Sequence, residues 1–235
     1  MAKQLILELD GSPFEFSVRR ILVAGYTGRD RAQVRAHIAE LERQGIAPPD
    51  HVPALFPIAS EWATTETDLE FPVASVSGEV EPALLFCGDS LDDALVAVIV
   101  DFTDREQERC SIAGSKELPK PLSRNVWRYS DIAAVWDQVA MRSWAVPGPD
   151  RELYQCGKLG HLLAPQNLLE SLRLSDGLAG TVLLMGTLPL QSKEFAFTDC
   201  FACELEAPGF GKLSYECRIR RQAGPQQLSG VEVRP

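Results

Sequence analysis

The 235-residue sequence has no apolar run approaching the ~20 residues a membrane-spanning helix needs. It also lacks an internal repeat or a low-complexity stretch, which excludes solenoid and fibrous architectures. Basic residues are in deficit: 23 Lys and Arg against 33 Asp and Glu leave a formal charge of −10, which repels phosphate backbones and anionic lipid surfaces. Nucleic acid and membranes are not expected partners. A signal peptide would need a longer apolar stretch than MAKQLILELDGS supplies before its acid and turn. The six cysteines (Cys87, Cys110, Cys156, Cys200, Cys203, Cys217) are scattered in a chain too large to need cross-links, so reduced thiols and a cytoplasmic setting are expected. Cys200-Phe201-Ala202-Cys203 has zinc spacing without a second matching pair, and residues three apart on a strand face opposite sides. These read as buried structural thiols.

What is present is ordinary globular composition, with 45% hydrophobic and 24% charged residues supporting one catalytic unit with a real core. The opening reads as strands over 5–9, 14–18 and 21–24, broken by the turn Asp10-Gly11-Ser12-Pro13. A helix follows over 30–44, with Asp30 as N-cap, Val34, Ile38 and Leu41 on one stripe, and Gly45 past its end. Prolines at 48, 49, 53 and 57 then impose extended chain around Ala54-Leu55-Phe56. Strands are expected over 69–73, 80–86 and 95–102, a loop over 110–128, a helix over 130–142 capped by Ser130, and a shorter helix from Pro165. The last third reads as strands over 181–185, 195–205 and 213–219, and Pro147-Gly148-Pro149 reads as a linker.

Three carboxylates stand out. Glu79 and Glu81 are two apart at the start of an expected strand, so they share a face, and like charges side by side need a cation between them or free solvation. Asp101 ends the unbroken apolar run Leu95 to Val100, where an unpaired carboxylate is expensive. Its partner is either Arg105, in a structural ion pair, or a hard divalent cation shared with the glutamates. Spacing leaves both open. On the first helix His37 and Glu40 are three apart, beside the apolar stripe, where a carboxylate can orient an imidazole as a general base. Ordinary surface charge pairing, with Arg43 as near to Glu40, is the alternative.

In order and spacing these pieces resemble the fumarylacetoacetate hydrolase family from the His37 helix to about Arg218. The family's His-x-x-Glu and Leu-Phe segment is similar to His37-Ile38-Ala39-Glu40 and Leu55-Phe56, and its Glu-x-Glu strand to Glu79-Val80-Glu81. Its Asp-x-Thr-Ala-Arg-Asp looks like Asp101-Phe102-Thr103-Asp104-Arg105-Glu106, and its Gly-Thr-x-Pro like Gly186-Thr187-Leu188-Pro189. The sequence departs from the family at Ile58, Asp104, Glu106 and Leu190-Gln191, which bears on substrate identity more than on the carboxylates.

The resemblance implies an α+β, β-rich fold, a mixed β-roll with barrel-like sheets and a few flanking helices. It implies one domain over 1–235, with N-terminal strands and a lid helix in 1–60 and a metal-binding β core in 61–235, paired as a homodimer. It implies Mg²⁺ or Mn²⁺ on Glu79, Glu81 and Asp101, an acid-base pair of His37 and Glu40, and substrate contacts from Arg105 and Thr187. Lys116 matches the family's site lysine, with Lys120 as its alternative because the intervening spacing is shortened here. The implied substrate is a small anionic 2-oxo acid, cleaved at a carbon-carbon bond.

Overall fold

A computed structural model describes residues 2–43, 45–145, 152–174, 177–192 and 194–222. The Pro147-Gly148-Pro149 linker lies outside the described residues. The chain opens with β1 (Lys3–Leu9) and β2 (Ser12–Val18), joined by a tight turn in which Asp10 and Gly11 both adopt positive φ. β3 (Arg20–Gly25) leads to α1 (Arg31–Arg43), and Asp30 Oδ1 caps that helix by accepting from the N–H groups of Ala32 and Gln33. Then follow β4 (Ala54–Ile58), β5 (Ala63–Thr64), β6 (Asp68–Phe71), β7 (Val76–Phe86) and β8 (Ala94–Asp104). Among the described residues no helix is long and apolar enough to cross a membrane.

Between residues 110 and 128 the expected loop holds three short elements: α2 (Ile112–Ser115), β9 (Lys120–Pro121) and β10 (Asn125–Arg128). The expected helix over 130–142 is also revised. It is one turn, α3 (Tyr129–Ile132), followed by 3-10 turns over Ala133–Gln138, and it starts after Arg128 without a side-chain cap from Ser130. Residues beyond Val139 form β11 (Ala140–Trp144), because Met141 and Ser143 alternate as buried residues between two neighbouring strands. Those neighbours are β12 (Leu153–Lys158), which the sequence reading omitted, and β14 (Cys200–Ala207). α4 (Pro165–Leu172) starts at proline as expected, and β13 (Thr181–Leu184) and β15 (Gly211–Arg221) complete the elements.

Eight strands form one sheet in the order β2-β1-β10-β8-β7-β13-β3-β4, and five form a second in the order β12-β11-β14-β15-β6. In the first sheet the strands from before residue 60 flank, on both sides, a central block of strands from after it. One face of that sheet, with Leu22, Val80, Leu84, Val98 and Phe102, packs with Leu205, Leu213 and Ile219 of the second sheet and with Leu168 and Trp136 of the helical segments. The other face, with Ile21, Val23, Ala83, Leu85, Ala97, Ile99 and Leu184, gathers Leu5, Leu7 and Phe16 from β1 and β2 into a second core. This is the curled, β-rich α+β fold that the family resemblance implied. By strand alternation Glu79, Glu81 and Asp101 continue the face that carries Ala83, Leu85, Ala97 and Ile99.

Candidate functional site

β7 and β8 run further than their apolar segments suggested, so the acidic positions lie inside the ladder instead of at its ends. Glu79 is the direct cross-strand partner of Asp101, and β8 continues three residues past Asp101 to Asp104. β13 stops pairing at Leu184, opposite Ala83. Beyond it Gly186 N–H donates at 2.7 Å to Glu81 Oε2 instead of to the backbone ladder. Gly186 has φ +94°, and a Cβ there would stand 2.0 Å from Thr27 Oγ1, so only glycine fits.

The three carboxylates differ in their partners. Arg105 Nη2 donates to Glu79 Oε2 at 2.8 Å. Asp101 is fully buried; Lys116 Nζ donates to its Oδ2, and Lys120 Nζ lies 3.2 Å from its Oδ1. That Oδ1 has no hydrogen bond of good geometry, and neither has the buried hydroxyl of Thr103. Glu81, 3% exposed, accepts from the Gly186 N–H and has no ion pair among the described residues. Burial, with the Asp101 charge beside it, pushes the Glu81 carboxyl well above its ordinary range, against the pull of Lys116. Burial alone would raise the Asp101 carboxyl as well, but the two ammonium groups hold it below its ordinary value. For Lys116 burial is outweighed by Asp101, Glu81 and Glu79, and its pKa is raised. For Lys120 burial wins over Asp101 and brings it down to about 8.

Arg105 does not pair with Asp101. Its guanidinium bonds to Ser77 Oγ, Glu79 and both oxygens of Glu108, and Phe195 covers its face with the ring centroid 3.8 Å from Cζ. As placed, it is the counter-ion to Glu79. Asp104, where the family resemblance has alanine, accepts from Ser75 Oγ and from the N–H groups of Glu106 and Gln107, fixing the turn that aims Arg105.

Thr187 donates to Val80 O at 2.7 Å and accepts from Gln155 Nε2 at 2.7 Å. Gln155 was missed by the sequence reading together with its strand. Fully buried, it also donates to Leu188 O and accepts from Val80 N–H and Ser143 Oγ, tying both sheets to the loop that carries Gly186. A lone glutamine among apolar neighbours was the available signal.

His37 and Glu40 both sit on the exposed face of α1, from which only Val34 is buried. No hydrogen bond joins them among the described residues, and neither touches the carboxylates. Tyr26 provides the link from α1 to the site: its ring centroid is 6.3 Å from that of His37, and it lies within electrostatic reach of Glu108 and Lys116. Tyr26 holds φ +59°, an uncommon conformation for a non-glycine residue.

The donor chemistry fits a hard divalent cation: three carboxylates on one sheet face, one buried carboxylate oxygen without a hydrogen bond, and one buried glutamate without an ion pair. As placed, Glu79 is paired with Arg105 and Asp101 with both lysines, while Glu81 has no ion pair among the described residues. Among the described residues no three Asp, Glu, His or Cys side chains converge closely enough to hold a metal.

A family model described as "Protein of unknown function (DUF2848)" matches residues 24–214. The chain belongs to the DUF2848 family. No curated protein matches it. In three dimensions this DUF2848 chain is similar to fumarylpyruvate hydrolase from Pseudomonas aeruginosa in complex with Mn²⁺ and pyruvate, at 18% identity and TM-score 0.64 over 93% of this chain and 97% of that one. It is similar to 5-carboxymethyl-2-hydroxymuconate delta-isomerase from Mycobacterium smegmatis, at 18% identity and TM-score 0.59 over 88% and 80% of the two chains. A yeast fumarylacetoacetate hydrolase family protein gives 16% identity and TM-score 0.62 over 88% and 95%. At these identities the likeness establishes the fold, which is that of the fumarylacetoacetate hydrolase family.

Proposed function

We propose that this protein is an enzyme dependent on Mg²⁺ or Mn²⁺ that hydrolyses a carbon-carbon bond in a small 2-oxo or 1,3-dicarbonyl acid of acylpyruvate type. The observation that carries the reading is the buried pair Glu81 and Asp101, two carboxylates on one sheet face with Lys116 and Lys120 beside them. Glu79, Glu81 and Asp101 would hold the cation. When bound it supplies Lewis-acid stabilisation of negative charge developing on the substrate's oxygens.

The remaining chemistry belongs to the side chains. Lys116, kept charged by three nearby carboxylates, attracts the substrate's own carboxylate into an otherwise acidic protein. Thr187, held between Val80 and Gln155, forms a fixed polar wall beside Glu79 and Glu81. Closure of α1 brings His37 over the site, where Glu40 orients it and it takes a proton from water as that water attacks the distal carbonyl. The bond between the acyl carbon and its neighbour then breaks; the acyl carbon leaves as a carboxylate, and the other carbon takes the proton and departs in a shorter 2-oxo acid. Decarboxylation, hydration or isomerisation of a 2-oxo acid could use the same groups, and the homodimer and the cytoplasmic setting belong to this reading.

Turnover of an acylpyruvate panel with Mg²⁺ or Mn²⁺ tests it. The wild type should release a 2-oxo acid only with the cation, and Glu81→Ala should release none; retained activity and cation binding in Glu81→Ala would refute the assignment. One observation favours a second reading, a non-catalytic small-acid-binding protein: the exposure of His37 and Glu40 away from the carboxylates. It predicts that pyruvate with Mg²⁺ raises the melting temperature while no member of the panel is consumed.

A further inference from the structure

Asp101 is flanked by two lysines that are not equivalent. Lys116 bonds to Oδ2 through an ammonium whose side chain is 10% accessible, and among the described residues Asp101 is its one side-chain hydrogen-bond partner. Lys120 has a side chain with no accessible surface, and its Nζ donates to Phe102 O at 2.7 Å and Leu118 O at 3.1 Å while standing 3.2 Å from Asp101 Oδ1. Its backbone is pinned in β9, which pairs with β5 through Ala63 and Lys120. An ammonium held by two carbonyls and a carboxylate fills a site shaped for a cation, and leaving it would orphan both carbonyls. A ligand that competes for Asp101 can therefore displace Lys116, whose side chain keeps some accessible surface, whereas Lys120 stays.

We propose that Lys120, charged at neutral pH, is an internal counter-ion that sets a low affinity for the divalent cation at Glu79, Glu81 and Asp101, so that the resting site is ion-paired and the cation is exchangeable. The inference rests on the reading of those carboxylates as cation ligands. An ammonium held in place beside one ligand opposes a second cation there at neutral pH, and burial leaves it poorly screened. Lys116 by contrast is freed from Asp101 when the cation arrives and becomes available to an anionic substrate.

The test is Mn²⁺ affinity, measured from the electron paramagnetic resonance signal of free Mn²⁺ on wild-type protein, Lys120→Met and Lys120→Gln, with no substrate present. Glutamine keeps a donor for the Phe102 or Leu118 carbonyl, so it covers the case in which methionine fails to fold. Arg142→Met serves as the charge control, since Arg142 pairs with Glu204 and Glu206 on the five-stranded sheet. The proposal expects the neutral Lys120 variants to bind Mn²⁺ about tenfold or more tightly than wild type, with the control unchanged. Wild type that binds no Mn²⁺ beside variants that do would sink the native metal reading and uphold the role of Lys120. Equal affinity in a folded Lys120→Gln variant, or no binding in any of them, would overturn the proposal.

Discussion

Gly186 is the residue on which the geometry around Glu81 turns. Its positive φ and the 2.0 Å approach of a hypothetical Cβ to Thr27 Oγ1 leave no room for another side chain, while its N–H donates to the buried Glu81 carboxylate. Gly186→Ala is expected to lower stability by about 2 kcal/mol or more and to reduce cation binding, as measured by chemical denaturation and Mn²⁺ titration. Unchanged values would show that the loop adapts. The cysteines make a second residue-scale case. Burial pushes the Cys217 thiol up to about 12 from an ordinary 9.0, and Cys203 is raised well above as well. Cys87, Cys110 and Cys156 are exposed. At pH 8 a disulfide reagent should modify those three in the native protein and spare Cys203 and Cys217. Because the folded pKa of Cys217 is above the unfolded one, its contribution to stability is full below about pH 9 and lost as the pH rises towards 12. A melting temperature that stays flat across that range would contradict it.

At the scale of elements, α1 is tied to the body lightly: one buried residue, an Asp30 cap, and the Tyr26 ring near His37. Loss of the cap in Asp30→Ala should cost about 1 kcal/mol and should raise hydrogen exchange chiefly within α1. His37→Ala should leave the melting temperature unchanged, since the side chain is exposed, yet lower turnover by about a hundredfold or more if α1 closes on the substrate. Turnover unaffected by His37→Ala would favour the small-acid-binding reading.

Elements with a clear period or a cap were legible in the sequence. α1 was announced by Asp30 and the Val34 spacing, and β8 by an unbroken apolar run. Where the reading failed, tertiary contacts decided. Val135, Trp136 and Val139 have helical spacing, but the segment after Gln138 gains more by pairing with β12 and β14 than by extending a helix. Asp101 read as a strand end because charge is expected to stop a buried strand, whereas Lys116 and Lys120, distant in the chain, let β8 continue through it. The carboxylates themselves were visible from spacing. Their ion-paired state was not, because the pairing of Arg105 with Glu79 and of both lysines with Asp101 depends on turns and on β9.

For the whole molecule, a −10 protein places three carboxylates and three basic side chains at one end of a curled sheet, and the balance of charge there defines the account. Glu81 is the member without a cationic partner in an ion pair, so it is where added positive charge stabilises most. The most direct test is thermal unfolding of the wild type and of Glu81→Gln with and without millimolar Mn²⁺ at neutral pH. The account predicts that Mn²⁺ raises the melting temperature of the wild type by several degrees and leaves Glu81→Gln almost unmoved. Equal shifts in both proteins, or no shift in the wild type, would contradict the claim that these carboxylates form a divalent-cation site.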